Sequence, residues 1–355
     1  MKLRLVFMCF LLSGITGVYA ADSESDYSKG PLFGKNMYIP FLIHYNFPSL
    51  PAKSGEPFDL QYHISLYFIQ DVNYVANDLS GYEEGTGRRY DRQNITRDYE
   101  GLVVELGIAY THSKQLQTGM DMRVIAYYGG FMDPALEAYH SLLGFPNGGR
   151  EYFERNRIYI NIPNENGITM FLDKPAISFG DIDIWGKWTF LENEKVSLAA
   201  MCAFKLPTGR LSALSGSGYP DAAAGFLLDY RAARYLTLYT QTGAVLPFNA
   251  KSYLMFNGLL GAELHPWKQF SFSLQMNIKT SPIRDSAAVF LWDNERRRRV
   301  NLYSRPQTNI LGGLILRFQN SRLQFYLEED AFTHQGTDIT FNVMFSHTIN
   351  LKTKK

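Results

Sequence analysis

Apolar and polar residues alternate along the chain in runs of about ten residues, and the clearest run is the last one, residues 339–351. Side chains of a β-strand point alternately to its two faces, so this alternation predicts a strand with one apolar and one largely polar face. The run is long enough to cross a bilayer as a tilted strand, which takes roughly 9–11 residues. Its apolar face carries Ile339, Phe341, Val343, Phe345, Ile349 and Leu351, interrupted only by His347.

Similar runs recur from residue 58 onward and together predict an all-β fold. We count about twelve strands, within a range of about 10–14, and an even number is expected for a single-chain bacterial barrel. The cleanest internal run alternates apolar residues such as Phe272 and Leu274 with polar ones such as Ser273 and Gln275. The runs lie near residues 58–70, 99–110, 117–128, 176–190, 196–204, 221–231, 234–246, 252–264, 269–279, 308–318, 323–327 and 339–351.

The connections between these runs are mostly long and short in turn, with the brief link 247–251 as the exception. Outer-membrane barrels have long external loops and short periplasmic turns, whereas a soluble sandwich has no reason to sort its loops in this way. Aromatic residues near the short turns match an interfacial girdle. The pattern therefore predicts a transmembrane antiparallel β-barrel with both termini on the periplasmic side. The girdle candidates are Tyr110, Trp188, Phe190, Tyr235, Trp267 and Phe318.

Three segments follow from this pattern. Residues 1–20 read as a secretory signal peptide, because Lys2 and Arg4 precede an apolar stretch and small residues end it at Ala20. Residues 58–355 form the predicted barrel.

Residues 21–57 contain both polar and apolar residues and are rich in proline, which argues against a regular spanning strand. Two interpretations of this segment stay open: a plug that folds into the barrel mouth, and a disordered periplasmic lead. The candidate plug or gate residues are Tyr38, Pro40, Phe41 and Leu42.

The amino-acid composition narrows the class of protein further. Only 19% of the residues are charged and 15% are aromatic, and the formal net charge is +1. This balance gives no sign of nucleic-acid binding. After the signal peptide no stretch reaches the roughly 18 apolar residues of a transmembrane helix, and cleavage would leave Cys202 without a partner for a disulfide.

A series of glycine-rich motifs in the middle of the chain resembles a bacterial domain-of-unknown-function family, the one numbered 3187. The resemblance covers most of the mature chain and is firmest over residues 129–221. It implies an outer-membrane barrel similar to long-chain fatty-acid transporters, and it implies no catalytic site. The motifs are GGFMD at 129–133, His140, GFPNGGR at 144–150, FGD at 179–181, KLPTG at 205–209 and GSGYPD at 216–221.

The longest connection, 129–175, carries the first candidate solute-binding group. Residues 133–143 have helical spacing, with Asp133 suited to the cap and Pro134 to the first turn. His140 and Arg150 near this helix are suited to binding a carboxylate, since arginine pairs with planar acids through two hydrogen bonds. The alternative is a loop that packs for structure alone.

A second candidate group lies on the inward faces of the neighbouring strands: Asp181, Asp183, Lys187 and Lys205. Fixed charges in a lumen tune which solute passes, and the alternative is a polar interior whose groups satisfy one another. Residues 296–299 are four arginines on a predicted external loop. Such a run either gathers anions or is simply solvated.

We interpret the chain as an outer-membrane channel or transporter that passes small hydrophobic or amphiphilic molecules, such as long-chain fatty acids, through a narrow gated barrel. Two alternatives stay open: an adhesin or structural barrel with partner-binding external loops, and a lipid hydrolase that uses His63 or His140 with a serine. No enzyme, cofactor or metal site is expected, because no nucleophile elbow, phosphate loop or metal-ligand spacing occurs. The expected partners are outer-membrane lipid, the solute and the barrel-assembly machinery, and nucleic acid is not among them.

Overall fold

The computed structural model describes residues 28–74, 95–144, 155–162, 170–249, 252–282, 289–293, 296–300, 306–330, 337 and 339–352. The predicted signal peptide lies outside these residues. Two helices, α1 (Ile39–Leu42) and α2 (Asp133–Leu143), and a 3-10 turn, Leu211–Ala213, accompany the strands. The strands are β1 (Asp59–Tyr74), β2 (Ile95–Thr111), β3 (Leu116–Tyr128), β4 (Tyr159–Ile162), β5 (Met170–Leu172), β6 (Ala176–Phe179), β7 (Ile182–Glu192), β8 (Val196–Leu206), β9 (Asp221–Ala233), β10 (Leu236–Pro247), β11 (Met255–Leu264), β12 (Phe270–Lys279), β13 (Val289–Asp293), β14 (Arg296–Val300), β15 (Gln307–Phe318), β16 (Ser321–Asp330) and β17 (Ile339–Asn350).

Twelve of these strands form one closed antiparallel barrel. Its hydrogen-bonded order runs β1, β2, β3, β7, β8, β9, β10, β11, β12, β15, β16 and β17, and β17 pairs with β1 to close the ring. Closure leaves no unpaired strand edge, which is the condition for crossing lipid with strands. The predicted fold class and strand number are therefore confirmed.

The barrel has a short-turn end and a loop end. The short turns join β2 to β3, β7 to β8, β9 to β10, β11 to β12 and β15 to β16, and β1 begins and β17 ends at the same side. At the loop end, β4 and β5 extend the sheet beside β2, and β6 pairs with the outer part of β3. No helix in the described part of the chain is long and apolar enough to span a membrane.

One predicted strand is broken. Residues 176–190 form β6 and β7, because an extra residue near Gly180 interrupts the pairing with β3. The backbone N–H of Gly180 donates to the carbonyl of Arg123 at 2.7 Å. A bulge of this kind shifts the inward and outward phase of a strand. As a result Ser178 and Asp181 both face inward.

Two further boundaries differ from the predicted ones. β1 and β2 continue past the predicted connection at 71 and 98, because their backbone pairing extends to Tyr74 and Ile95, beyond the apolar part of each strand. The four arginines at 296–299 were predicted to lie on an external loop, and they lie in the connection between β12 and β15 at the loop end. They form β14, which pairs with β13 as a separate two-stranded hairpin.

The outward face of the barrel is an apolar belt. Large apolar side chains are exposed there, among them Phe226 at 61%, Leu274 at 59% and Trp188 at 53%. On the same strands the inward side chains are largely polar and buried. Each of the twelve barrel strands carries an exposed apolar side chain, and an outward apolar band of this kind is typical of outer-membrane barrels.

The apolar belt predicts that a charged side chain on the outward face lowers the free energy of unfolding. The size of this loss should depend on the depth of the side chain in the bilayer. Leu274 lies in the middle of β12 and faces outward. We expect Leu274→Arg to lower the free energy of unfolding in lipid vesicles by about 2–4 kcal/mol, since an arginine at the bilayer midplane is poorly solvated. Leu116→Arg, at the short-turn end of β3, is the control and should cost about 0–1 kcal/mol. Equal costs in denaturant titrations of the two variants would contradict the inferred depth.

Candidate functional site

Residues 28–57, here called the luminal segment, run through the inside of the barrel. At the short-turn end the ammonium of Lys29 donates to the carbonyls of Trp267 and Phe270. Nearer the loop end, the carbonyl of Ile43 accepts from Lys205. The segment then turns back, and the carbonyl of Pro51 accepts from Lys187 before β1 begins. Residues 29–49 are all buried.

The turn of the luminal segment is apolar and lies in an apolar chamber. α1 forms there because Pro40 occupies its first turn and cannot join a sheet. Met37, Ile39 and Leu42 are completely buried. They belong to one cluster with side chains of the barrel wall and of the structures at the loop end. The other members include Ile69, Val103, Ile125 and Tyr127 from the wall, Ile160, Ile162, Met170 and Leu172 from β4 and β5, and Leu214 from the connection between β8 and β9.

Lys35 attaches the ascending part of the luminal segment to three acidic residues of the wall. Its Nζ lies 2.8 Å from Oε2 of Glu105, 3.0 Å from Oδ2 of Asp121 and 3.5 Å from Oδ2 of Asp183. Burial alone would lower the pKa of the Lys35 ammonium, but Asp121, Glu105 and Asp183 raise it above its ordinary value. The lysine therefore stays charged at neutral pH and neutralises part of the wall.

Arg123 extends this group of charges. Its guanidinium lies 3.4 Å from Oδ2 of Asp183 and donates to the carbonyl of Leu42 at 3.2 Å. The same wall cation therefore contacts both the acidic group and the apolar turn of the luminal segment.

Lys205 holds the turn of the luminal segment and the connection above it. Its Nζ lies 2.5 Å from Oδ2 of Asp181 and donates to the carbonyl of Ile43 at 3.0 Å and to Oγ of Ser217 at 2.8 Å. The other oxygen of Asp181 accepts from the backbone N–H of Gly209 at 2.8 Å. Residues 207–220 are thereby drawn over the loop end of the lumen.

Arg97 joins the apolar chamber to the wall at the loop end. Its Nε donates to Oδ2 of Asp71 at 2.8 Å, and its Nη1 donates to the hydroxyl of Tyr38 at 2.5 Å. The guanidinium carbon also lies 4.5 Å from the centre of the Tyr38 ring. The side chain is 1% exposed. A buried cation thus lies beside the apolar turn of the luminal segment.

Several of the residues predicted to bind solute or to form a gate take part in these contacts. Asp181, Asp183, Lys187 and Lys205 are buried on the luminal side. Their role as solute ligands stays a prediction. Tyr38, Pro40, Phe41 and Leu42 lie in and beside α1, inside the barrel, and their role as a gate likewise stays a prediction.

The group predicted around α2 is only partly described. The helix spans Asp133–Leu143 as predicted. Oδ1 of Asp133 accepts from the side chain of Gln70 at 3.4 Å, and Oδ2 accepts from the backbone N–H of Asn156 at 3.3 Å. These contacts favour the packing alternative for Asp133. His140 lies in the helix, its side chain is outside the description, and Arg150 lies outside the described residues.

Sequence reasoning missed Lys35, Arg97, Glu105, Asp121 and Arg123. Four of them carry a readable signal, because each is a charged residue at an inward position of a predicted strand or its extension. Glu105, for example, stands between the outward Val104 and Leu106. Lys35 has no such signal, since it lies in an irregular segment where no periodicity assigns a face.

The contact at Lys35 predicts a large loss of stability when the lysine is removed. Lys35→Met leaves the buried carboxylates of Glu105 and Asp121 without their closest cation and removes one of the two cations beside Asp183. We expect the free energy of unfolding to fall by about 3–5 kcal/mol, because an uncompensated buried charge is costly. The measurement is equilibrium unfolding in detergent or vesicles at neutral pH.

Lys53→Met is the matched control. Lys53 lies 3.2 Å from Glu192, but the two side chains are 56% and 35% exposed. An exposed pair is worth at most about 1 kcal/mol. If both lysine variants cost the same, the ionic attachment of the luminal segment is not the source of the stability.

A comparison of the sequence with protein-family models shows the family of this chain. A family model described as "Protein of unknown function (DUF3187)" matches residues 90–349. No curated protein shows significant sequence similarity to the chain.

Solved structures support the fold. The chain is similar to the COG4313 outer membrane channel from Pseudomonas putida F1, with a TM-score of 0.53 and 10% identity over 84% of this chain and 98% of that chain. It is also similar to the KdgM porin in complex with disordered oligogalacturonate (TM-score 0.41, 7% identity, 82% and 99% covered) and to the Pseudomonas putida toluene transporter TodX (TM-score 0.39, 11% identity, 91% and 99% covered). The last two TM-scores are too low to support an inference. The fold is that of an outer-membrane β-barrel.

Proposed function

Since the chain belongs to the family of proteins of unknown function DUF3187, we propose its function from its geometry: an outer-membrane channel or transporter, closed at rest by the luminal segment, for small hydrophobic or amphiphilic molecules such as long-chain fatty acids. The outer-membrane channel from Pseudomonas putida F1 has a similar fold, and this supports the channel class. The solute is argued from the lumen itself.

The observation that carries the proposal is the course of the luminal segment. A barrel of this size encloses more space than its wall side chains fill: barrels of about eight strands fill themselves, and those of 16–18 leave an aqueous channel. In this chain residues 29–49 occupy that space and are buried there. The chain passes from them into the barrel wall at β1, so movement of the segment does not require any strand of the closed ring to separate.

The contacts of the segment favour movement over a fixed core. Lys35 and Lys205 hold it by ion pairs and by hydrogen bonds to main-chain carbonyls. Buried ion pairs gain little net stability, since the cost of removing each charge from water offsets their attraction. A segment held in this way exchanges its partners for water or a solute at lower cost than one held by apolar packing throughout.

The apolar chamber at the loop end supports an amphiphilic solute. Met37, Ile39 and Leu42 would give way to an apolar chain there, since the wall behind them is also apolar. Arg97 stands beside them with Asp71 as its acidic partner. A carboxylate head group would exchange with Asp71 on the guanidinium, because arginine binds planar acids through paired hydrogen bonds.

The remaining expectations belong to the same proposal. Residues 1–20 direct export through the inner membrane, the barrel-assembly machinery inserts the chain, and lipid covers the apolar belt. We propose no enzymatic activity. His63 faces Glu105 and Asp121 rather than a serine, which speaks against the hydrolase alternative.

An adhesive or structural barrel is the second candidate, and the hairpin of β13 and β14 favours it. This hairpin forms a sheet of its own at the loop end, and its second strand carries the four arginines at 296–299. A basic hairpin at the loop end suits an acidic partner at the cell surface. Such a barrel would have no need of an opening lumen.

Single-channel conductance of the refolded mature protein in a planar bilayer tests the proposal. We expect brief, infrequent openings in the native protein and a higher open fraction in Lys35→Met, because that variant loses the ionic attachment of the luminal segment. Lys53→Met should behave like the native protein. Folded, inserted protein that stays silent in all three forms contradicts the channel and favours the adhesive barrel.

Block of the single-channel conductance by a fatty acid tests the proposed class of solute. Oleate on the loop-end side should reduce the conductance, and Arg97→Gln should weaken this block by roughly tenfold or more, since a charge-assisted hydrogen bond is worth about 1.5–3 kcal/mol. Arg155→Gln is the control, because Arg155 is 55% exposed and pairs with Glu137 outside the lumen. An equal block in both variants would show that Arg97 does not bind the carboxylate.

A further inference from the structure

Three potential metal ligands from three neighbouring strands meet inside the barrel. His63 of β1, Glu105 of β2 and Asp121 of β3 face the lumen in its short-turn half. Their ligand atoms all lie within 4.8 Å of one another. His63 Nε2 is 3.6 Å from Oε1 of Glu105 and 3.8 Å from Oδ1 of Asp121.

The two carboxylates divide their oxygens between two directions. Oε2 of Glu105 and Oδ2 of Asp121 contact the ammonium of Lys35. Oε1 of Glu105 and Oδ1 of Asp121 instead point toward His63. These two oxygens and Nε2 of His63 are buried and have no hydrogen-bond partner. The side chains of Glu105 and Asp121 are 0% and 1% exposed. Buried polar atoms of this kind are costly unless something binds them.

Glycine at position 107 makes the convergence of these atoms sterically feasible. Gly107 lies opposite both His63 and Asp121 in the strand register. A Cβ atom at this position would lie 2.0 Å from Cε1 of His63 and 2.4 Å from Oδ1 of Asp121. Any larger residue would push the two ligands apart. On the other side the ring of Phe33, from the luminal segment, packs against the imidazole with 4.5 Å between ring centres.

Carboxylates outnumber the basic side chains beside them in this group. The carboxylates are Glu105, Asp121 and Asp183, and the basic side chains are Lys35 and Arg123. Lys35 contacts Oε2 of Glu105 and Oδ2 of Asp121, and Arg123 contacts Asp183. A cation bound between His63 and the other two oxygens would bring a positive charge to the side that Lys35 does not contact.

From this geometry we propose that His63, Glu105 and Asp121 form a binding site for a divalent transition-metal ion of the zinc type. One imidazole nitrogen and two carboxylate oxygens are donors that such ions accept, with a water as a fourth ligand. Ligand atoms around a tetrahedral ion with bonds of about 2.0–2.2 Å stand about 3.3–3.6 Å apart. The separations of 3.6 and 3.8 Å reach that range with a shift of a few tenths of an ångström.

The site is coupled to the luminal segment because it shares both carboxylates with Lys35. An ion on Oε1 and Oδ1 withdraws negative charge from the oxygens that hold the ammonium. Binding of the ion therefore loosens the attachment of Lys35, and detachment of Lys35 strengthens binding of the ion by the same factor. This coupling rests on the function proposed above, whereas the metal site itself does not.

The sequence gives no spacing signal for this site. His63, Glu105 and Asp121 are far apart along the chain, and only the strand register brings them together. Common metal motifs place their ligands within one turn or one helix. A site assembled from three strands carries no such signature.

Titration with Co²⁺ and Zn²⁺ tests the site. The protein is the refolded mature chain in detergent without an affinity tag, and its folding is checked by heat-modifiable mobility in gels. We expect one ion per chain, a tetrahedral Co²⁺ absorption spectrum and displacement of Co²⁺ by Zn²⁺. His63→Gln and Asp121→Asn should each weaken binding by at least about tenfold, and Lys35→Met should tighten it.

His112→Gln is the matched control. His112 lies in the turn between β2 and β3 and pairs with Thr118, so its loss should leave the affinity unchanged. The proposal is overturned if no stoichiometric ion binds, if His63→Gln binds as tightly as the native protein, or if His112→Gln removes the binding. A metal-binding protein whose channel never opens would refute the proposed function and leave the site intact.

Discussion

Closure of the sheet between β1 and β17 is the constraint on which the rest of the structure depends. In lipid every backbone N–H and C=O must find a partner, and a closed ring of strands provides one for each. Closure also fixes which side chains face the lumen. With twelve strands the wall encloses a space that its own side chains do not fill. The luminal segment fills it, and Lys35 of that segment pairs with buried carboxylates of the wall.

The way the segment is held differs between its two ends. At its turn, α1 packs into an apolar chamber with β4, β5 and the wall. Along its ascending part, Lys35 is held by carboxylates from β2, β3 and β7. Apolar packing tolerates few changes of position, whereas ion pairs exchange partners when water or another ion enters. The segment therefore combines apolar packing at its turn with ion pairs along its ascending part.

The same carboxylates serve two neighbours, and this links the two proposals. Glu105 and Asp121 each present one oxygen to Lys35 and the other to His63. Whatever binds on the imidazole side changes the charge that Lys35 experiences. Under the two proposals above, a small ion at this place would govern the passage of a larger solute.

The sequence by itself determined the barrel, its strand number and the inward position of Asp181, Asp183, Lys187 and Lys205, because an alternation of period two assigns each residue of a strand to a face. The helix at 133–143 was readable for a similar reason. The sequence left the place of residues 28–57 open, since an irregular, proline-rich segment has no periodicity. Only the tertiary structure decided that it lies in the lumen, that β6 and β7 are separated by a bulge, and that 296–299 form a strand. It alone brings His63 to Glu105 and Asp121, because strand register, and not distance along the chain, sets which side chains meet. It alone also places Lys35 beside them, because the course of the irregular luminal segment sets the position of that lysine.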